Sequence, residues 1–359
     1  MELPSYFNDM LTKIRPPQGL LDMCVEAHTE LRETLVNDTE LKDIVVTTFL
    51  QGSYRRSTLI RPVNGSKADV DVVLVTSLDP ISWTPAQVQE HFCQVLSKYS
   101  RYRENYRRQG RSIGISLEEI CLDLVITASP SGTLKDVLKS DAFGSGISVE
   151  AHPEWKIVKG PSFPDEDWKS EPLLIPNRDA GRWEQTDPIS QIEWTHDKNR
   201  KTDGHYVNVV KALKWWWTWE SSGRKGLPKG YLVERLVGLH CPDGIESVAE
   251  GVTLVLEGIR DAYSSNAYQG TTPFIADVGI PSNNVFQRVP PDCFREFYDS
   301  VTACATKARA AFDDPDEASS ARGWIGIFGN VFPPSNNDPT SKTFQKPSKP
   351  AEPRKARFA

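Results

Sequence analysis

The chain has 359 residues, of which 38% are hydrophobic and 25% charged, and its formal net charge at pH 7 is −6. This length predicts about two domains, and the composition is ordinary for a globular protein. We find no apolar run of membrane-spanning length and no signal peptide in the sequence, so we expect a protein that stays away from membranes.

Charge distribution and cysteine usage exclude further classes. Residues 333–359 carry six Lys or Arg and two Asp or Glu, a net +4, which leaves −10 on the rest of the chain. Neutralising phosphates dominates nucleic-acid affinity, so such an acidic body argues against general nucleic-acid binding, a poly(A) polymerase or a tRNA-end enzyme. The six cysteines show no Cys-x-x-Cys pair and no zinc spacing, and they predict reduced thiols in the cytoplasm.

The chain begins with predicted helices and then a strand that ends in a small turn. Helical periodicity over the first 37 residues is broken at Pro16 and Pro17. Residues 43–50 are rich in β-branched side chains and indicate a strand. Gly52 lets the backbone approach a phosphate closely. Ser53 is a favourable N-cap for a helix whose free N–H groups attract anions.

The next predicted strand, over residues 68–75, carries two carboxylates. Alternate side chains on a strand share a face, so Asp69 and Asp71 point the same way. A helix is predicted at 87–99. The basic segment 101–111, with its interleaved aromatic residues, is interpreted as a solvated hairpin edge rather than a nucleic-acid site.

A third strand, over residues 120–126, contains Asp123. A lone carboxylate in a buried strand is costly unless it is paired or bound to a metal. Beside the previous strand, Asp123 completes a cluster of three carboxylates. Two Mg²⁺ ions about 4 Å apart can hold the attacking and leaving oxygens of an in-line displacement. Each motif alone is more often solvated surface, but the ordered set predicts two-metal chemistry on a nucleoside triphosphate.

In the order of Gly52-Ser53, Asp69-x-Asp71 and Asp123, the chain resembles the DNA polymerase β-type nucleotidyltransferases. Among them it is most similar to the bacterial cGAS/DncV-like nucleotidyltransferases (CD-NTases), relatives of cGAS and the oligoadenylate synthetases. Relatives often carry a proline two or three residues after the third aspartate, where this chain continues Leu-Val-Ile-Thr. That departure concerns how the strand ends more than how a metal is bound.

Composition changes after the third strand. Residues 132–146 are rich in Gly and Ser and predict a mobile loop over the site, and 149–183 contain prolines and short strand-like runs. A helical half then follows. Its helices are predicted at 187–200, 203–221, 230–240, 245–263 and 290–313.

Two segments of the helical half carry binding candidates. Lys211 and Lys214 share a face of helix 203–221 and are predicted to hold the β- and γ-phosphates, although a solvated face is the usual fate of such lysines. Oligoadenylate synthetases and their kin carry a similar basic-x-x-Lys-x-Trp helix. Residues 227–236 resemble a Leu-Pro-x-x-Tyr-x-x-Glu-x-Leu segment of the same relatives, which implies that Tyr231 stacks on a nucleobase.

Other conspicuous residues receive plainer interpretations. Trp215, Trp216, Trp217 and Trp219 lie on one helix and point in different directions, so most of them are predicted to be core or partner contacts rather than a stacking platform. Asp277 and the pair Asn283-Asn284 are expected near the site, with no further role assigned.

The C-terminal residues 333–359 contain six prolines and many polar residues, and they predict a disordered arm. Several bacterial relatives are encoded beside a ubiquitin-activating-like enzyme that joins their small C-terminal residue to a target. The resemblance therefore implies that Ala359 is a conjugation point, with Phe358 as its recognition anchor. A disordered end without a role is the alternative.

The resemblance implies an α+β fold in which a polymerase β-type nucleotidyltransferase core, a mixed sheet with helices, packs on an all-helical C-terminal domain. The active site is expected in the cleft between them. The predicted bounds are 1–183 for the core with an N-terminal helix, 184–332 for the oligoadenylate synthetase-like helical domain and 333–359 for the basic tail.

The predicted reaction is attack of a ribose hydroxyl on the α-phosphorus of a bound nucleoside triphosphate, ATP among the substrates, with Mg²⁺ or alternatively Mn²⁺ as cofactor. Asp69, Asp71 and Asp123 are the predicted catalytic metal ligands, and Gly52 and Ser53 join the lysines around the triphosphate. The resemblance implies a cyclic di- or trinucleotide second messenger in bacterial anti-phage signalling. A linear oligoadenylate-type or terminal nucleotidyltransferase, and an inactive nucleotide-binding scaffold, are the alternatives.

Overall fold

The structure is a computed structural model and describes residues 1–128 and 172–335. The predicted mobile loop at 132–146, the strand-like run at 155–158 and the predicted conjugation point Ala359 lie outside the described residues.

Among the described residues, five strands form a mixed sheet in the N-terminal half, in the order β1-β2-β5-β4-β3. β2 and β5 pair in parallel, and the other neighbouring pairs are antiparallel. The three strands predicted from β-branched runs are β1, β2 and β5, so they are direct neighbours. The strands span Val45–Gln51 (β1), Ala68–Thr76 (β2), Tyr106–Arg108 (β3), Ile113–Ser116 (β4) and Ile120–Thr127 (β5).

Two helices cover one face of this sheet. Proline is unfavourable inside a helix, and Pro17 is extended (φ −67°, ψ 153°), so the predicted break is confirmed. α4 begins with a capping box in which Thr84 and Gln87 exchange hydrogen bonds. α2 and α4 pack with Val70, Val72 and Leu74 of β2. Over residues 1–128 the helices span Pro4–Ile14 (α1), Gln18–Asn37 (α2), Gly52–Arg55 (α3) and Pro85–Ser97 (α4).

The opposite face of β2 carries the acidic residues near its start and apolar residues near its end. Val73 and Val75 pack with Phe49, Leu173 and Ile189. Strands β6 (Leu173–Asn177) and β7 (Arg182–Thr186) form a hairpin that joins the end of β5 through a bridge between Ala128 and Leu174. The start of β2 is left facing the helical half.

The predicted helical half is confirmed, and three of its helices begin with a side-chain N-cap. Asp187 accepts a hydrogen bond from the Ser190 N–H, and Ser247 accepts one from Glu250, so both act as N-caps. Helix α10 is a helix that the sequence analysis did not predict. The six helices span Pro188–Lys201 (α5), His205–Glu220 (α6), Tyr231–His240 (α7), Val248–Gln269 (α8), Pro291–Asp313 (α9) and Glu317–Phe328 (α10).

The core of the helical half includes the N-terminal helix α1. Phe7 packs edge-on against Trp324, with ring centroids 5.0 Å apart, and Met10, Leu11 and Ile14 are buried in the same cluster. The predicted bounds at 183 and 332 stay a prediction, but hydrophobic packing places α1 with the helical half.

Most of the tryptophan cluster is core, as predicted, while Trp219 is exposed. Trp215, Trp216 and Trp217 are all buried, and the Trp217 indole N–H donates to the Pro228 carbonyl oxygen at 2.6 Å. The α+β architecture of a mixed sheet with helices and a following helical region is therefore confirmed. Across the two described stretches, no helix combines the length and apolarity needed to cross a membrane.

Candidate functional site

The three aspartates meet through strand register. Asp71 of β2 lies directly beside Asp123 of β5, and Asp69 lies beside Cys121. Because side chains alternate along a strand, all four point to the face that looks toward the helical half. Ligand atoms of Asp69, Cys121 and Asp123 lie within 4.8 Å of one another. The structure thus brings together the carboxylates that the sequence spacing selected.

Burial makes all three carboxylates less acidic, and mutual repulsion adds to the effect at Asp69 and Asp71. Loss of hydration within the cluster, with repulsion from Asp123, raises the pKa of Asp69 to about 6. Loss of hydration, with repulsion from Asp69 and Asp123, raises the pKa of Asp71 to about 7. Burial also raises the pKa of Asp123. A divalent cation would relieve this repulsion, because it replaces like-charge contacts by attraction.

The Gly-Ser turn is required by the position of Asp71. At the end of β1, Gln51 pairs with Asp71 across the antiparallel ladder. Gly52 follows with φ +71°, and a methyl group on its α-carbon would overlap the Asp71 carboxylate. Only glycine meets both demands.

The expected N-cap role of Ser53 is wrong. The positive φ of Gly52 already turns the chain, so α3 begins at Gly52 with Gln51 as its N-cap. α3 is a single four-residue turn, and Ser53 lies inside it. Its carbonyl oxygen accepts hydrogen bonds from the N–H groups of Thr58 and Leu59.

The two predicted lysines have different surroundings. Lys214 of α6 is 12% exposed at its side chain, donates to the Thr58 carbonyl oxygen at 2.9 Å, and lies 4.0 Å from Glu234. Burial lowers the pKa of Lys214, and the charge of Glu234 opposes that effect. Lys211 is fully buried. Its predicted contact with a triphosphate stays a prediction, and its burial weighs against it.

A buried ion pair beside Lys214 joins the two halves of the molecule. The Arg56 Nε donates to Glu234 Oε1 at 2.6 Å, and the Thr58 hydroxyl donates to Glu234 Oε2 at 2.8 Å. Both charged side chains are nearly inaccessible to solvent. Arg56 is not among the predicted site residues, although its partner is the glutamate of the Tyr-x-x-Glu segment.

Tyr231 lines a cavity of about 540 Å³ together with Asp277, Asn283 and Asn284. The Arg56 guanidinium lies 5.2 Å from the centroid of the Tyr231 ring. Asp277 is held in place by the Gln191 amide, which donates to it at 3.1 Å. The residues expected near the site therefore lie in one cavity with the predicted stacking tyrosine.

Several arginines of the basic hairpin segment pair with carboxylates on neighbouring elements. Arg101 lies 3.2 Å from Glu30, and Arg108 pairs with Glu90 on α4. These surface pairs fit the interpretation as a solvated edge. The segment also contains Gln109, whose side-chain amide donates to Asp123 Oδ1 at 3.0 Å. The sequence analysis did not anticipate this contact.

Comparisons with known proteins identify the family. Residues 1–132 match the Second Messenger Oligonucleotide or Dinucleotide Synthetase (SMODS) domain. The chain is 39% identical to a probable cyclic AMP-AMP-GMP nucleotide synthase of Salmonella paratyphi B and 37% identical to the cyclic AMP-AMP-GMP synthase of Enterobacter hormaechei subsp. hoffmannii, with 100% of each chain covered. The chain belongs to the bacterial cGAS/DncV-like nucleotidyltransferases.

The fold of this CD-NTase agrees with a solved relative. The Bradyrhizobium diazoefficiens CD-NTase CdnG, in complex with GTP, superposes with a TM-score of 0.67 at 14% identity, over 91% of this chain and 96% of that one. The chain is therefore an enzyme of the nucleotidyltransferase type, a cyclic oligonucleotide synthase that makes a second messenger.

The acidic cluster of this CD-NTase fits a divalent cation. Asp69, Asp71 and Asp123 offer carboxylate oxygens, which are the ligands that hard divalent ions prefer. Burial, with the charges of Asp123 and Asp69, raises the pKa of the Cys121 thiol to about 11. The thiol therefore stays protonated at neutral pH and is a poor ligand for such an ion.

Proposed function

We propose that this CD-NTase joins ATP and GTP into a cyclic AMP-AMP-GMP second messenger, with two Mg²⁺ ions held by Asp69, Asp71 and Asp123. The product assignment is supported by the two full-length relatives that carry this activity in their names. The chemistry is supported by one observation above all. The parallel register sets Asp71 beside Asp123, with Asp69 on the same face. Mn²⁺ is the alternative cofactor, and a cyclic dinucleotide is the alternative product.

In the proposed reaction a ribose hydroxyl attacks the α-phosphorus of a bound triphosphate, and pyrophosphate leaves. Bound Mg²⁺ supplies charge neutralisation at the reacting phosphate. Asp69 and Asp71 would hold both ions, and Asp123 would join them as a ligand and take the proton of the attacking hydroxyl. The step is repeated in the same cleft, and a final attack closes the ring.

The remaining predicted residues bind the substrate. The backbone at Gly52 lies against the Asp71 carboxylate, so Gly52 and the following Ser53 can approach a phosphate held at the same site. Lys214 supplies positive charge close to Asp69 and Asp71. Lys211 reaches a phosphate only if α6 moves, because its side chain has no exposed surface. Tyr231 stacks on a nucleobase in the cavity that it lines with Asn283 and Asn284.

Product analysis tests this proposal. The purified chain is incubated with labelled ATP, GTP, CTP and UTP and Mg²⁺ or Mn²⁺, and the products are treated with phosphatase and identified by mass. We expect a phosphatase-resistant product with two adenosines and one guanosine, which appears only when ATP and GTP are both present. Phosphatase-sensitive chains would instead identify a linear oligoadenylate-type or terminal nucleotidyltransferase. The absence of any product would favour the inactive scaffold.

In the cell we propose a role in anti-phage signalling in the bacterial cytoplasm. All six cysteines lie in the described residues and are free thiols, which supports a reducing compartment. A plaque assay compares cells that carry the gene and its genomic neighbours with cells that carry the Asp69→Asn/Asp71→Asn form. We expect fewer plaques only with the wild-type gene, and equal plaque counts would contradict the role.

Conjugation at Ala359 is proposed on the resemblance alone, since the tail lies outside the described residues. Deletion of Phe358 and Ala359 should leave synthesis in vitro intact and remove any high-mass conjugate formed in cells with the genomic neighbours. Conjugates that persist after this deletion would rule the idea out.

A further inference from the structure

Gln109 contacts Asp123 from the side of β5 that faces away from β2. It follows β3 in the hairpin that leads to β4, and its Nε2 donates to Asp123 Oδ1 at 3.0 Å. An ionised carboxylate only accepts hydrogen bonds, so the nitrogen of the amide must face it. The Ser112 hydroxyl, 3.2 Å from Gln109 Oε1, can donate to that oxygen. The orientation of the amide is therefore set by both neighbours.

The backbone of Gln109 is fixed as well. Its N–H donates to the Ser112 carbonyl oxygen at 2.9 Å, and its own carbonyl oxygen accepts from the Gln89 amide at 2.9 Å. Gln89 is a buried side chain on α4. The amide that touches Asp123 thus stands on a rigid turn, which is tied to a helix of the core.

Gly114 gives an independent sign that this space is reserved for Gln109. Gly114 lies opposite Asp123 in the ladder between β4 and β5. Its φ is not positive, so the backbone does not require glycine there. A methyl group on its α-carbon would overlap the Gln109 amide nitrogen and lie 3.2 Å from Asp123 Oδ1. Glycine at this position leaves room for the amide.

We propose that Gln109 is a positioning residue, which holds one oxygen of Asp123 so that the carboxylate presents the other to the catalytic cation, and that Gly114 makes room for it. The inference rests on the proposed function, because it takes Asp123 as a cation ligand. Partners that orient a metal ligand typically contribute about 10–100-fold to metal affinity or activity.

Mn²⁺ binding measured by electron paramagnetic resonance, with a non-hydrolysable ATP analogue present, tests the proposal without turnover. Gln109→Met keeps the length of the side chain and removes the donor. We expect it to weaken Mn²⁺ binding about tenfold or more and to raise the metal concentration needed for half-maximal synthesis. Gln94 is the matched control. It donates to Glu90 at 3.1 Å on the exposed side of α4, so Gln94→Met should bind Mn²⁺ like the wild type.

Gly114→Ala disturbs the same hydrogen bond without changing Gln109. It therefore keeps the proposal testable if Gln109→Met fails to fold. We expect Gly114→Ala to weaken Mn²⁺ binding similarly, since the new methyl group displaces the amide. In a Gln109→Ala background the methyl group no longer meets the amide, and only its 3.2 Å approach to Asp123 Oδ1 remains. We therefore expect the second substitution to add less than about threefold, the non-additivity of residues in contact.

The outcomes are separable. Wild-type Mn²⁺ affinity in folded Gln109→Met, or full additivity of the two substitutions, would overturn the positioning role. If Asp69→Asn/Asp71→Asn keeps wild-type Mn²⁺ affinity, the proposed metal site itself fails. Loss of binding in that variant, with none in Gln109→Met, leaves the metal site standing and removes only the inference about Gln109.

Discussion

At the scale of single residues, the clustered aspartates destabilise the metal-free fold when they are ionised. Their pKa values are raised in the folded chain, to about 6 for Asp69 and about 7 for Asp71. The folded state therefore holds these protons more tightly than the unfolded state does. The resulting penalty is absent below about pH 4 and complete above about pH 7 in the metal-free protein.

Asp69→Asn/Asp71→Asn should abolish product formation, because it removes two charged metal ligands. It should also stabilise the metal-free chain at pH 8, because it removes the penalty of ionising these carboxylates. Solvent reaches Asp69, so we expect a gain of only about 1 kcal/mol, or about 2–4 °C in melting temperature. Thermal melts in EDTA from pH 5 to pH 8 measure this effect, and the gain should shrink toward pH 5. A variant that melts below the wild type at pH 8, or that still makes product, would contradict the assignment.

The two lysines of α6 differ in solvent exposure, so we expect their substitutions to have different effects. Lys214→Ala should lower kcat/KM for ATP at least tenfold, because a hydrogen bond to a charged group contributes about 1.5–3 kcal/mol. Lys211→Met removes an amine that has no exposed surface, so we expect a smaller loss. Steady-state kinetics at subsaturating ATP with both variants decides between them. An equal or larger loss in Lys211→Met would show that both lysines hold the triphosphate.

At the scale of elements, the turn between β1 and α3 depends on Gly52. Gly52→Ala forces a side chain into a positive φ and into the Asp71 carboxylate, so we expect synthesis to fall at least a hundredfold and stability to fall by about 1–3 kcal/mol. Gly65 is the matched control. It also has a positive φ, +75°, but open space around its α-carbon. Gly65→Ala should cost stability and leave kcat unchanged. Activity losses of the same size in both variants would show that strain alone matters.

The elements also show what the sequence could and could not predict. Alternation placed Asp69 and Asp71 on one face, and Pro16-Pro17 marked a real helix break, because both signals are local. The burial of Lys211 could not be predicted, because α6 is buried on nearly all sides and the periodicity of its sequence therefore marks no solvent-exposed face. The contact between Gln109 and Asp123 depends on how a hairpin folds back beside β5, and no local pattern encodes that pairing.

At the scale of the whole molecule, the buried pair of Arg56 and Glu234 connects the sheet to the helical half. Its residues are 178 positions apart, so no sequence spacing reveals it. The pair also supports the site, since Glu234 lies 4.0 Å from Lys214 and Arg56 lies over the ring of Tyr231. Glu234 therefore links the stability of the interface to the geometry of the cleft.

The stabilisation from the pair of Arg56 and Glu234 depends on pH through the pKa of Glu234. Burial raises the pKa of Glu234, but the charges of Arg56 and Lys214 outweigh it and hold the pKa below its usual value of 4.5. The stabilisation from this pair is therefore present above about pH 4.5 and is lost as the pH falls through the lower folded-state value.

Glu234→Leu should be strongly destabilising, by about 3–5 kcal/mol, because it leaves the Arg56 charge buried without its partner. Arg56→Met in the same chain removes that charge, and we expect the double variant to regain much of the lost stability without regaining activity, since Lys214 has still lost its neighbour. Calorimetric melts and ATP kinetics on the two single variants and the double variant complete the cycle. If the single losses simply add, the pair is not coupled, and if the double variant is fully active, Glu234 has no part in shaping the cleft.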